Sequence, residues 1–353
     1  MDILDHYRAF LDLQDYPCFD DFIFYLTVNL KSDSFLYFFY WFIGKFTSVY
    51  QVIGFCSAFV LYYLLIQIAD KWLDYLHVSK NGLAFILLLG SFLALTCIYD
   101  FNGMRNATAI VFFVYLIINK EKYPVSIFWV LLLLDCLIHF SMYPIVGLYL
   151  ISCYLSSKTR IAVVVLLIIG HWFFLPLMEW LMNILPSYGQ FGMIMSLKIY
   201  GYLFSGEEGA AFYSGSILRF LLICCAFAFS PIVVIAVKRH ERELDIDFCR
   251  FHYFVVLFIA YIFWGMDSYL LARNFMLFRY LFLLYLAYLI YCGYFFSKRL
   301  RSLFFACYVM IALSGIPSFI LGKEYQVLNF DVFTSNLYAI LTTQVSLEGY
   351  DRI

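Results

Sequence analysis

The chain has 353 residues, of which 65% are hydrophobic, 22% aromatic and 13% charged, with a formal net charge of -1. So much apolar surface excludes an ordinary soluble globule, and so balanced a charge gives no basic face for nucleic acid; membrane lipids are the expected surroundings. The apolar runs recur along the whole length and are apolar all round instead of alternating, which excludes barrel strands and requires helices.

Residues 1–33 carry seven aspartates against one Arg and one Lys, and no cleavable signal peptide is visible there. Segment 34–46 is apolar but only 13 residues long, which reads as a re-entrant or interfacial helix. Spans are predicted at 50–69, 83–99 and 105–118, the last of them short. The apolar run 124–155 would make a single helix of about 48 Å, longer than a bilayer needs. Ser141, Met142, Tyr143 and Pro144 offer the break, so it is read as two spans. Further spans follow at 161–181, 216–237, 251–270, 275–296 and 303–321. The fold class is therefore an all-α polytopic integral membrane protein with about ten transmembrane helices plus the short amino-terminal one. Its expected organisation is an acidic external head (1–49), a helical transmembrane domain (50–321) with its longest loop at 183–215, and an external polar tail (322–353).

Thirteen of the 23 Lys and Arg fall in loops 70–81, 119–123, 157–160, 238–250 and 297–302, in compact runs against span ends. The positive-inside rule places these loops in the cytoplasm. Arg105, His139, the 183–215 loop, Arg273, Arg279 and both termini are then expected at the outer face.

The stretch 98–141 concentrates the chemistry. Arg105 opens one apolar helix and His139 closes the next, with only the turn NKEK between the two helices, so the pair is expected at one depth. An arginine at an apolar border is commonly a snorkelling anchor, and a lone histidine in a span is commonly a packed, hydrogen-bonded residue. Their convergence on one face favours a site. Asp135, one turn before His139, is placed to orient its ring, or else to bond a neighbouring helix. Arg273 and Arg279 lie in DSYLLARNFMLFRY, on different faces of one helix or either side of its start, with Arg279 expected four residues into its span. Arginine suits phosphate because its planar fork donates paired, charge-assisted hydrogen bonds and keeps its proton. Most of the ten cysteines lie in apolar runs with no CxxC pair, and the chain has no GxxxxGK, HExxH or zinc spacing. ATP-driven transport by this chain alone is not expected.

Three segments resemble the EpsG-type branch of the Wzy O-antigen and capsular polysaccharide polymerases. DHYRAF resembles the family's external Asp-Tyr-Arg-Tyr stretch. GMRNATAIVFFVYLI with LIHFSMYPIVGLYL resembles its paired arginine and Ile-His-Phe-Ser signature, and ARNFMLFRYLFLLYLAYLI its late arginine helix. Asn106 stands where a glutamine often follows the first arginine, and the family's opening helix would precede Met1. The resemblance implies a multi-pass protein of the bacterial cytoplasmic membrane that joins undecaprenyl-diphosphate-linked repeat units at the outer face, alongside partners such as a chain-length regulator and a flippase. The lipid diphosphate is already a good leaving group, so no nucleotide, metal or other cofactor is implied. Arg105, Arg273 and Arg279 would bind the diphosphate and stabilise its departing charge, with His139 as base or phosphate donor. Asp2, Asp5, Tyr7 and Arg8 of the head, and Tyr202 and Glu207 of the long loop, would meet the glycan; Asp2, Asp5 and Glu207 are alternative bases. Tyr188, Tyr200 and Tyr213 are further candidates for stacking on sugars, or else interfacial anchors. A lipid-linked polysaccharide ligase or other lipid-linked glycosyltransferase, and a flippase or exporter of lipid-linked sugars, are the alternative readings; a membrane acyltransferase has only His139 in its favour.

Overall fold

A backbone in hydrocarbon has to satisfy its own polar groups, and this chain does so with helices. The computed structural model describes residues 2–29, 31, 33–78, 82–95, 104–154, 159–204, 217–240, 246–264, 269–291 and 296–314. These hold fourteen α-helices and no strand. The protein is an all-α polytopic membrane protein. Every span expected from the sequence contains a helix. Among the described residues four helices are long and apolar enough to cross a membrane unaided: Gln51–Tyr75, Leu222–Arg239, Asp247–Trp264 and Asn274–Tyr291. The chain divides into two compact units, Met1–Phe140 with Ala312 onward, and Ser141–Ile311.

In the first unit, α1 (Asp2–Asp12), α2 (Phe19–Val28) and α3 (Ser34–Gly44) precede the long α4 (Gln51–Tyr75). Phe10, Leu13, Phe22, Tyr37 and Tyr40 share one apolar cluster with Tyr50 and Ile53 at the start of α4, so the acidic head packs on the beginning of that helix. Tyr7 lies against Tyr50, ring centroids 4.7 Å apart, where α1 meets α4. On α4 the buried Ile53, Ser57, Leu61, Leu64, Leu65, Ile68 and Trp72 recur every three or four residues, one stripe of a 3.6-residue helix. Phe55, Phe59, Tyr63 and Ile66 are exposed, which for an apolar span means facing lipid. After α5 (Gly82–Leu95), α6 (Met104–Ile118) fills that stripe and packs in turn on α7 (Val125–Ile138). Ala107, Ala109, Ile110, Val111, Phe113, Val114 and Leu116 are all buried, so α6 is the core of the unit. The turn below it is tied down by Asn119, whose Nδ2 and backbone N–H both donate to the Tyr115 carbonyl at 3.0 Å. Lys71 of α4 pairs with Glu121 of the same turn.

The run 124–155 does break in two, but a few residues earlier than expected. Helix α7 stops at Ile138 and α8 (Met142–Tyr154) begins after a three-residue corner, His139–Ser141. Pro144 is in the first turn of α8, where a missing N–H leaves no helical bond unmade, so it starts the second helix and does not end the first.

The second unit continues with α9 (Thr159–Ile184), α10 (Gln190–Ile199), α11 (Ile217–Arg239), α12 (Ile246–Trp264), α13 (Tyr269–Tyr291) and α14 (Lys298–Leu313). Helix α12 is its hub, packing on α8, α9, α11 and α13. Residues 252–262 of α12 and 274–281 of α13 are buried without interruption, so protein surrounds these stretches on every side. Gly170 on α9 admits the indole of Trp264: a Cβ there would stand 2.5 Å from its ring. The buried His252 Nδ1 lies 2.6 Å from the Tyr285 hydroxyl and joins α12 to α13. Arg301 Nε and Nη2 donate to the carbonyl of Ile290 at 3.1 and 2.7 Å, capping the last turn of α13.

The long 183–215 segment is less of a loop than its glycines and tyrosines suggest. Helix α9 runs on to Ile184, a 3-10 turn follows at Leu185–Tyr188, and Gly189, at φ +84°, reverses the chain into α10. Gly192 leaves room for the Leu185 carbonyl, and Ser196 Oγ donates to the Met182 carbonyl at 2.8 Å. A π-helical turn, Tyr200–Phe204, ends the described part of the segment.

Candidate functional site

The corner between α7 and α8 presents an unusual set of groups. Because the chain turns extended at His139 (φ -147°, ψ 127°), the His139 N–H still reaches the Asp135 carbonyl at 3.2 Å, but Phe140 can no longer bond along the helix. Its N–H donates to Asp33 Oδ1 at 3.2 Å. The other oxygen of that carboxylate, Oδ2, accepts from Arg105 Nη1 at 2.7 Å. Asp33 precedes α3, Arg105 lies in the first turn of α6, and Phe140 follows His139; three distant stretches of chain meet at one carboxylate. Asp33 and His139 are each 4% exposed, while the Arg105 side chain keeps 21% of its surface open.

The electrostatics of this junction follow from the helices. An arginine in the first turn stands at the positive end of the helix dipole, an unfavourable place that an adjacent anion relieves. The end of α7 is the favourable place for a cation, and His139 is the C-cap residue there. Helix α6 has 15 residues and α7 has 14, about 22 and 21 Å long, against a hydrocarbon core of about 30 Å. Short helices sharing one turn carry Arg105 and His139 at their far ends, a pairing with the chemistry of an anion-binding site.

A protein-family model described as the EpsG family matches residues 5–330. The chain belongs to the EpsG family. No curated protein and no solved structure matches it. EpsG membership brings with it a membrane polysaccharide-polymerase type of function, glycosyltransferase in kind, with a lipid-linked glycan as substrate. Among the described residues no three His, Cys, Asp or Glu side chains cluster as metal ligands would.

The other residues expected at an EpsG site are placed as follows. Asp135 is fully buried, and neither of its carboxylate oxygens has a hydrogen-bond partner among the described residues. Its link to His139 runs through the main chain, because a residue at the helix terminus in extended conformation leaves the periodic face on which an i−4 side-chain contact depends. Asp2, Asp5, Tyr7 and Arg8 all lie on α1. Tyr7 is half-buried at the α1–α4 contact and Arg8 is exposed. In the second unit Arg273 and Arg279 share α13, whose first residue is Tyr269 and not Phe275. Arg279 lies ten residues into this helix, about 15 Å along its axis, and five residues into the apolar stretch Asn274–Tyr291 that is long enough to cross a membrane. It is 5% exposed, with its guanidinium carbon 5.4 Å from the centroid of the Phe275 ring. The turn that carries Tyr202 touches α13. Tyr188 and Tyr200 are exposed; Glu207 and Tyr213 lie outside the described residues.

Sequence reasoning missed Asp33 and the His252–Tyr285 pair. Asp33 had a signal, an aspartate directly before an apolar run, but that signal points to a helix cap. The carboxylate makes no capping hydrogen bond and turns to two other helices. His252 sits in an aromatic stretch, and nothing local marks it as the partner of a tyrosine 33 positions on.

Proposed function

We propose that this EpsG-family protein polymerises undecaprenyl-diphosphate-linked oligosaccharide repeat units into O-antigen, capsule or exopolysaccharide at the outer face of the bacterial cytoplasmic membrane. The observation that carries the reading is the meeting of Arg105 and the His139 corner at one buried carboxylate, in a chain of this family. In the reaction, a hydroxyl at the non-reducing end of one lipid-linked glycan attacks the anomeric carbon of another. The bond from that carbon to the lipid diphosphate breaks, the electron pair leaves with the phosphate oxygen, and the hydroxyl proton is removed. Arg105, at the positive end of α6, holds the diphosphate and offsets the charge that grows on it. His139 takes the proton or donates to phosphate. Arg273 and Arg279 are proposed as further phosphate ligands on α13, and Asp2, Asp5, Tyr7, Arg8, Tyr202 and Glu207 as glycan contacts. No metal or nucleotide enters this scheme, and a chain-length regulator and a flippase are its natural partners.

The test is polymerisation of purified lipid-linked repeat unit by wild type, Arg105→Ala and His139→Gln across pH 5.5 to 8.5, with folding checked by size exclusion. Arg105→Ala is expected to abolish polymer at every pH. If the imidazole is the base, His139→Gln loses roughly 10²–10⁴-fold in rate together with the acid limb of the profile; a glutamine that keeps most of the rate makes it a phosphate donor. Full activity in both variants sinks the shared site. In cells lacking the gene, a surface polysaccharide stopped at one repeat unit supports a polymerase, and loss of every unit points to a ligase or flippase.

A further inference from the structure

Asp33 occupies the cap position of α3, yet its carboxylate makes no capping hydrogen bond there. It accepts instead from the Arg105 guanidinium, 72 positions on, and from the Phe140 N–H, 107 positions on. Both donors have a physical need of it. Arg105 is a cation at the positive end of α6, and Phe140, two residues past the end of α7, carries an N–H that the extended turn at His139 takes out of the helical ladder. A single group that meets both needs also sets the distance between them. It ties the start of α6 to the end of α7, two helices that also meet along their packed sides and through the turn at their opposite ends.

From this arrangement we propose that Asp33 is a positioning residue for the transfer reaction: its carboxylate holds the Arg105 guanidinium and the His139 corner in the register the diphosphate and the attacking hydroxyl require. The inference rests on the reading of Arg105 and His139 as the reacting site. It assigns the short apolar helix α3 a task beyond filling space, which is to deliver one anion to the junction of Arg105 and the His139 corner. The charge of Asp33 has a second effect. It partly neutralises Arg105, so that diphosphate is bound less tightly before reaction than an unpaired guanidinium would bind it, and the product carrier is more easily released.

These two effects separate positioning from mere scaffolding. Asp33→Asn keeps the shape and an oxygen for the Phe140 N–H but removes the charge that orients Arg105. The experiment uses the full chain in lipid nanodiscs. It measures turnover of lipid-linked repeat unit per monodisperse molecule and, separately, equilibrium binding of farnesyl diphosphate as the probe. In Asp33→Asn, turnover is expected to fall roughly 10²-fold while the probe binds at least as tightly as to wild type. Asp33→Glu restores the charge with a methylene of misplacement and is expected to recover part of the turnover, with probe affinity returned to the wild-type value. Wild-type turnover in Asp33→Asn overturns the proposal, and so does a turnover loss matched by an equal loss of probe affinity. Should Asp33→Asn fail to give monodisperse protein, Asp33→Glu decides alone: undiminished turnover overturns positioning, and a drop in turnover at unchanged probe affinity supports it. Arg105→Ala is the control on the underlying reading. If it binds probe and turns over as wild type does, the site itself is elsewhere; if it loses both while Asp33→Asn loses neither, only the role of Asp33 is wrong.

Discussion

Arg279 is the residue whose character changes most between sequence and structure. A snorkelling arginine keeps its head in water or among lipid headgroups. Arg279 is 5% exposed, ten residues into α13, with Phe275 on its guanidinium. A charge so placed is costly unless it is paired or put to use, which makes the anchor reading hard to sustain. Arg279→Lys keeps the charge and loses the planar fork and its stacking on the ring. At matched protein level the lysine variant is expected to lose most polymerisation while still reaching the membrane. Near-normal polymer would return Arg279 to a packing role. Arg105 is the more open of the two: its Nη1 donates to Asp33 and its side chain keeps 21% of its surface exposed.

At the scale of elements, helix length and close approach decide more than residue chemistry does. Helices α6 and α7 fall about 8 Å short of a bilayer core. The apolar α3, 11 residues long, packs on α7 and brings Asp33 to the end that α7 leaves unfinished. In the second unit the contact of α9 with α12 depends on Gly170 lying against Trp264. Alanine at a helical glycine gains about 1 kcal/mol from propensity, whereas forcing a methyl into a packed interface costs about 1–3 kcal/mol. With the rigid indole at 2.5 Å, the clash outweighs the gain in propensity. Gly170→Ala is therefore expected to lower the detergent-solubilised melting temperature. The same change made in a Trp264→Leu background is expected to be neutral or stabilising, and equal destabilisation in both backgrounds would exclude the clash as its cause.

At the scale of the whole molecule, the charge asymmetry of the loops gives a topology that reporter fusions can read. Fusions after Lys120, Lys158, Lys238 and Lys298 are expected to report cytoplasm, and fusions near Tyr202 the opposite side. A cytoplasmic report at Tyr202 would remove the outer-face mechanism and leave the fold intact. The sequence by itself determined the membrane surroundings, the all-α class and the family, because composition, run length and short motifs are local quantities that survive without coordinates. It also picked out Arg105 and His139, since two helices sharing a four-residue turn have few ways to separate their far ends. Only the tertiary structure decided that the acidic head packs on α4, that Gln190–Ile199 of the long segment is helix, that Arg279 is buried, and that Asp33 joins Arg105 to the corner after His139. The Asp33 junction depends on groups that meet across 72 and 107 positions of chain, where hydrophobic periodicity carries no information and the need to pair a buried charge or a backbone N–H chooses the partner.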